Sequence, residues 1–212
     1  LMPYLGEAMK LYEEGVDKQV IDKSAEAFGM PMGPIALADK VGLDVCMHVA
    51  ENLCQHYGGE VSSTLQEMVN SGKLGVKSGE GFYKYDKKGK PVKSSQSAQS
   101  RSDDVTDRMI LMMLNEAVAC LQEGVVTSEE LLDAGMIFGT GFAPFRGGPL
   151  QYACDRGVKS IVETLNTFAK QYGERFAPSD GWGLLLDDEG HVVPDSNNEP
   201  VSQEQEEPLT HV

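Results

Sequence analysis

The chain has 212 residues, with 18 Lys+Arg against 33 Asp+Glu, a formal charge of −15 and a sequence pI near 4.6. That length is ample for a packed core, and an apolar share of 41% lies well above the disordered range. The acidic balance argues against a nucleic-acid binder or a protein docking on an anionic membrane, and the absence of a long apolar run excludes a bilayer span.

The predicted elements follow in chain order. Leu1, Leu5, Ala8 and Tyr12 recur at spacings of three and four, which predicts a helix over 1–14 that stops at Gly15. A second helix is predicted over 17–28, with Val20, Ile21, Ala25 and Phe28 inward. The Gly/Pro run 29–34 breaks it. A short helix follows through Ile35 and Val41. Asp44 is the expected cap of a longer one through Val45, Val49, Leu53 and Tyr57. Residues 64–70 suit another helix, and the Gly-rich stretch 75–85 an extended segment. Residues 84–101 carry six Lys/Arg against one Asp and read as an exposed linker. Helical periodicity resumes over 104–123, where the stripe Met109, Met112 and Met113 is expected in the core. Thr127 or Ser128 is the expected cap of a helix carrying Leu131, Leu132, Ala134, Met136 and Ile137. A Gly/Pro loop over 139–149 and helices over 150–155 and 158–172 complete the series. Residues 182–186 are expected to fold back as an apolar latch. The last 22 residues, 191–212, hold five acids and no Lys or Arg and are expected to be disordered.

An internal repeat organises the chain. Glu7-Ala8 and Glu14-Gly15-Val16 match Glu116-Ala117 and Glu123-Gly124-Val125 at an offset of 109. Asp22 and Asp133 match at 111, and Pro34/Pro149 and Gly42/Gly157 at 115. The expected divisions are a first helical repeat over 1–85, a linker over 86–103, a second repeat over 104–190 and the acidic tail. The fold class is all-α: two tandem repeats packed around a pseudo-two-fold axis.

Chemistry is sparse. Gly139-Thr-Gly141 and Gly79-Glu-Gly81 follow no predicted strand, and no phosphate-binding loop of the GxxxxGK[ST] type occurs. Cys46, Cys54, Cys120 and Cys154 form no CxxC pair and are expected as buried thiols. His48 and His56 show no metal-ligand spacing. Glu7 and Glu116 sit at equivalent positions, facing polar neighbours, with no visible acid–base partner.

Several ordered motifs nevertheless resemble one family. Pro3-Tyr4-Leu5-Gly6-Glu7-Ala8, Gly29-Met-Pro-Met-Gly-Pro34, Asp39-Lys-Val-Gly-Leu-Asp44 and Lys73-Leu-Gly-Val-Lys-Ser-Gly-Glu-Gly-Phe-Tyr-Lys-Tyr85 look like the C-terminal domain of 3-hydroxyacyl-CoA dehydrogenases. Asn115-Glu-Ala117 and Gly139-Thr-Gly-Phe-Ala-Pro-Phe-Arg-Gly-Gly-Pro149 are similar to the second C-terminal repeat of multifunctional fatty-acid oxidation proteins. The resemblance implies oxidation of (3S)-3-hydroxyacyl-CoA with NAD in fatty-acid β-oxidation, in a cytoplasmic setting if the source is bacterial. It also implies that the NAD-binding domain and the catalytic His–Glu pair belong to an upstream domain. No catalytic residue, cofactor site or metal site is then expected within this chain, which starts at Leu1 and is expected to be a fragment. The implied partners are an acyl-CoA substrate, the upstream NAD-binding domain and a thiolase subunit. Bacterial α subunits carry a substrate-binding Tyr immediately before the Gly-x-Gly-Phe loop of the second repeat. Phe138 holds that position, and either binds substrate or packs in the core. The alternative to an enzyme part is a non-catalytic helical assembly module.

Overall fold

The computed structural model describes residues 1–58, 60–92 and 103–186. Most of the expected linker and all of the acidic tail lie outside the described residues. Among the described residues there are nine α-helices and no strand: α1 (Met2–Glu13), α2 (Lys18–Phe28), α3 (Pro34–Val41), α4 (Leu43–Tyr57), α5 (Ser63–Asn70), α6 (Asp103–Gln122), α7 (Glu129–Thr140), α8 (Pro149–Arg156) and α9 (Val158–Tyr172).

Helix α6 is the hub. Val105, Met109, Ile110, Leu111, Met113, Leu114, Ala117 and Val118 are all buried, so apolar side chains leave it in almost every direction. A helix that is apolar all round must be covered all round. Helices α1, α2, α8 and α9 and the segment after α9 supply that cover. The expected methionine stripe is therefore core at Met109 and Met113, while Met112 is only partly buried. The two repeats meet through their equivalent first helices, α1 against α6.

Equivalent residues do equivalent work in the two copies. The Asp22 carboxylate accepts the backbone N–H of Ile35 at 2.8 Å and of Ala36 at 3.1 Å. The Asp133 carboxylate accepts those of Leu150 at 2.7 Å and Gln151 at 3.0 Å. Each Asp on the second helix thus caps the third helix, which opens on Pro34 or Pro149. The cap satisfies amides that a helix start leaves unpaired, and such caps contribute about 1 kcal/mol each. Gly33 and Gly148 make room for it. A Cβ at Gly33 would fall 2.2 Å from the Asp22 side chain, and one at Gly148 would fall 2.3 Å from that of Asp133.

The segment after α9 closes the second repeat. Phe176, Trp182 and Leu185 are buried. Asn115 Oδ1 accepts from Ser179 N–H and from the Trp182 indole N–H, both at 2.8 Å. The expected latch at Trp182 is present, as a 3-10 turn over Asp180–Leu185.

Several local expectations are corrected. Helix α4 starts from Gly42, with no side-chain cap; Asp44 lies inside its first turn and pairs with Lys77. Ser128, not Thr127, caps α7, accepting from Leu131 N–H at 3.3 Å. The stretch 75–85 contains a 3-10 turn, Val76–Ser78, and isolated bridges in place of an extended strand, because Asp39 gathers its backbone inward. All four cysteines are half-buried, since each lies at the edge of an apolar face.

Candidate functional site

Carboxylates were the first candidates for acid–base work, and the buried ones are committed elsewhere. Asp39 accepts N–H groups from Phe82 at 2.9 Å and Tyr83 at 2.8 Å, and the Tyr85 hydroxyl at 2.8 Å. Asp22 also accepts the Tyr83 hydroxyl, at 2.8 Å. Burial raises the carboxyl of Asp22 from 3.8 to about 6, and burial likewise pushes Asp39 and Asp133 upward. These groups anchor the 82–85 segment and two helix starts.

Glu7 does face polar neighbours, as expected, but they are charged and lie inside the fold. It is 1% exposed. It accepts Arg108 Nε at 2.8 Å and Nη2 at 2.5 Å, and Arg175 Nε at 2.8 Å. Arg108 also pairs with Glu14 and lies 4.1 Å over the Tyr172 ring. That hydrogen bond holds the Glu14 carboxyl below its usual range. The cluster joins α1 to α6 and to the segment after α9. Its two arginines were invisible as partners because they stand 101 and 168 residues away in sequence. Glu116, its repeat counterpart, is exposed.

His48 and His56 are exposed. No group of three or more metal-ligating side chains occurs among the described residues. A polar cleft between α4 and α5, lined by Glu51, Cys54, Gln55, Glu60, Val61 and Gln66, gathers no acid–base pair. Neither glycine pair forms a dinucleotide cradle. Gly139 lies inside α7, and Gly141 ends that helix with its Cα against Pro31. Gly79 and Gly81 flank a bridge held by Asp39. The described residues therefore offer no loop that fits NAD.

Exposed apolar surface is present instead. Phe138 is 89% exposed, so the core-packing expectation for it is wrong. Leu131 is exposed on the same face of α7. Gly135 and Gly139 flank the phenylalanine, and nothing lies within 4 Å of where their Cβ atoms would be. The result is an aromatic side chain standing on a smooth helix face.

The two Gly/Pro loops meet beside it in the chain. A Cβ on Gly29 would fall 2.6 Å from the Phe145 ring and 2.7 Å from Ala143, at a backbone φ of +122°. Only glycine suits that position. Behind this contact Phe28, Phe142 and Tyr152 form an edge-to-face cluster. Arg146 stacks on it, its guanidinium carbon 4.1 Å from the Phe28 ring centre. Sequence reading missed Arg146, whose only local signal is its place in the second Gly/Pro loop.

The geometry defines an all-helical tandem-repeat domain with exposed apolar side chains and, among the described residues, no acid–base pair. The family described as "3-hydroxyacyl-CoA dehydrogenase, C-terminal domain" matches residues 1–85 and 105–191, and the chain belongs to it. The fatty acid oxidation complex subunit alpha of Vibrio vulnificus is 40% identical over 193 residues, covering 85% of this chain and 27% of its own length. The subunit of the same name from Idiomarina loihiensis is 39% identical, covering 84% of this chain and 27% of its own length. The chain thus spans about a quarter of the length of these curated relatives. The dehydrogenase part of multifunctional enzyme 1 from C. elegans superposes with a TM-score of 0.63 at 27% identity, over 86% of this chain and 45% of that one. The fold is also that of 3-hydroxybutyryl-CoA dehydrogenase from Escherichia coli, with a TM-score of 0.68 at 23% identity, over 86% of this chain and 57% of that one.

Proposed function

We propose that this chain is the substrate-side helical region of an NAD-dependent (3S)-3-hydroxyacyl-CoA dehydrogenase of fatty-acid β-oxidation, within a multifunctional protein. The observation that carries the reading is the tandem family match, 1–85 and 105–191, together with relatives named for fatty acid oxidation at about 40% identity along most of the chain. Hydride transfer and proton abstraction belong to an upstream NAD-binding domain. The helical region closes over the acyl-CoA and excludes water. Phe138 contributes an apolar wall for the acyl chain or the pantetheine arm; it cannot replace the hydrogen bond of a tyrosine. A cytoplasmic setting and a thiolase subunit as partner follow from the family resemblance. Among the described residues no helix is long and apolar enough to cross a membrane.

A second reading, a module that only mediates assembly, draws on one observation. Val41, Val45 and Val49 form an exposed apolar stripe across the α3–α4 corner. Their counterparts in the second repeat, at the same offset of 115, are Arg156, Ser160 and Thr164. An exposed apolar stripe kept in one copy alone marks a contact surface. The upstream domain can use it under either reading.

The test is NADH oxidation with acetoacetyl-CoA. The purified chain alone should give no turnover above the buffer background, and it should bind acetoacetyl-CoA. Turnover by the chain alone contradicts the division of labour. Absence of any acyl-CoA binding, once the upstream domain is joined to it, favours the assembly module.

A further inference from the structure

The chain has five arginines, four of them among the described residues. Three of those four are paired with carboxylates: Arg108 with Glu7 and Glu14, Arg156 with Asp107, and Arg175 with Glu7. Arg146 pairs with no described carboxylate, in a chain whose acids outnumber its bases by 15.

Its guanidinium is nevertheless held firmly. Nε donates to the Phe28 carbonyl at 2.9 Å. That carbonyl belongs to the last turn of α2, where acceptors are unsatisfied and a cation is favoured. The guanidinium carbon sits 4.1 Å from the ring centre of Phe28, 5.0 Å from Tyr152 and 5.1 Å from Phe145. With Nε anchored and the plane stacked, Nη1 and Nη2 remain as a pre-set fork with no described acceptor. Such a fork matches the paired oxygens of a phosphate, and its fixed orientation lowers the ordering cost of binding. Beside it Phe145 is 75% exposed, over Gly29. A clamp between the repeats needs the Nε bond and the stacked rings; it needs neither an open fork nor a solvent-facing phenyl ring.

We infer that Arg146 and Phe145 form a subsite for a phosphate carried on an aromatic base, the chemistry of the nucleotide end of a coenzyme A thioester. Arg146 takes the phosphate oxygens through Nη1 and Nη2. Phe145 stacks against the base, a contact tolerant of sequence and orientation because every base has a π-face. The inference rests on the acyl-CoA reading above and places one end of that ligand at the junction of the two Gly/Pro loops.

Calorimetric titration of the full chain with adenosine 3′,5′-bisphosphate, and separately with inorganic phosphate, tests it. The bisphosphate should bind saturably and more tightly than phosphate. Phe145→Ala should weaken the bisphosphate about fivefold or more and leave phosphate binding unchanged. Arg146→Lys, which keeps the charge but loses the fork, should weaken both about tenfold. Thermal melts of each variant show whether the fold is intact; Phe145, being exposed, gives a readout even if Arg146→Lys fails to fold. Equal affinity for phosphate and bisphosphate overturns the aromatic half. No binding by the parent chain, or variants that alter only the melting temperature, overturns the subsite. Neither result touches the dehydrogenase reading, which is decided by turnover of the assembled enzyme.

Discussion

Glu7→Gln is the perturbation that most strains the joint between the repeats. Glu7 sits 1% exposed and Arg108 4% exposed, and their oxygen and nitrogen atoms meet at 2.5 Å. Glu7 also takes Arg175 at 2.8 Å. The substitution keeps the shape and removes the charge, so Arg108 is left with Glu14, whose side chain is 45% exposed and therefore well screened. Breaking a buried pair from one side costs about 3–5 kcal/mol. The surviving Glu14 contact sets the expectation at the lower end, about 3 kcal/mol. Against a total stability of about 5–15 kcal/mol that is a large fraction. At about 2–4 °C per kcal/mol the melting temperature should fall by about 6–12 °C. The readout is urea unfolding followed through Trp182, the single tryptophan, which is buried beside α6. The midpoint should drop with the slope unchanged. A loss below about 1 kcal/mol would show that the cluster does not hold α1 to the second repeat.

Asp22 has a folded pKa of about 6 against an ordinary 3.8, so the folded state binds that proton more tightly than the unfolded chain. Its contribution is complete below about pH 4 and is lost as pH rises through 6, by up to about 3 kcal/mol. The stability difference between parent and Asp22→Asn should move against the parent across that window; a flat or opposite trend contradicts it. Asp133→Ala removes the cap of α8 and leaves the amides of Leu150 and Gln151 unpaired, at a cost of about 2–3 kcal/mol in thermal or urea melts. Phe138→Ala should change stability by less than about 0.5 kcal/mol, because the side chain is exposed. In an assembled dehydrogenase it should raise KM for a long-chain 3-oxoacyl-CoA and spare the melting temperature. A melting-temperature loss with no kinetic effect would make it a packing residue after all.

Periodicity made the helices legible because Met109, Met113, Leu114 and Val118 repeat at helical spacing, and the repeat offsets made their pairing legible. What periodicity reports is that a face is apolar, not what covers it. Phe138 and Met113 look alike in sequence; one is exposed and the other is buried in the core. The matching of Asp22 with Asp133 was visible, but the role was not, since each carboxylate reaches a helix start 13 or 17 residues downstream. The partners of Glu7 lie farther still. Trp182 was readable as a latch because it opens a short apolar cluster set off by polar residues on either side. Arg146 carried no signal beyond its place in the second Gly/Pro loop, because an unpaired guanidinium is recognisable only once every neighbour is placed.

This chain should replace the matching C-terminal region of the Vibrio vulnificus fatty acid oxidation complex subunit alpha, to which it is 40% identical. NADH-dependent reduction of acetoacetyl-CoA is then measured for the chimera, for the subunit lacking that region, and for this chain alone. The proposed role requires turnover by the chimera and none by either part. A chimera that melts cooperatively yet gives no turnover, or turnover by this chain alone, would contradict it.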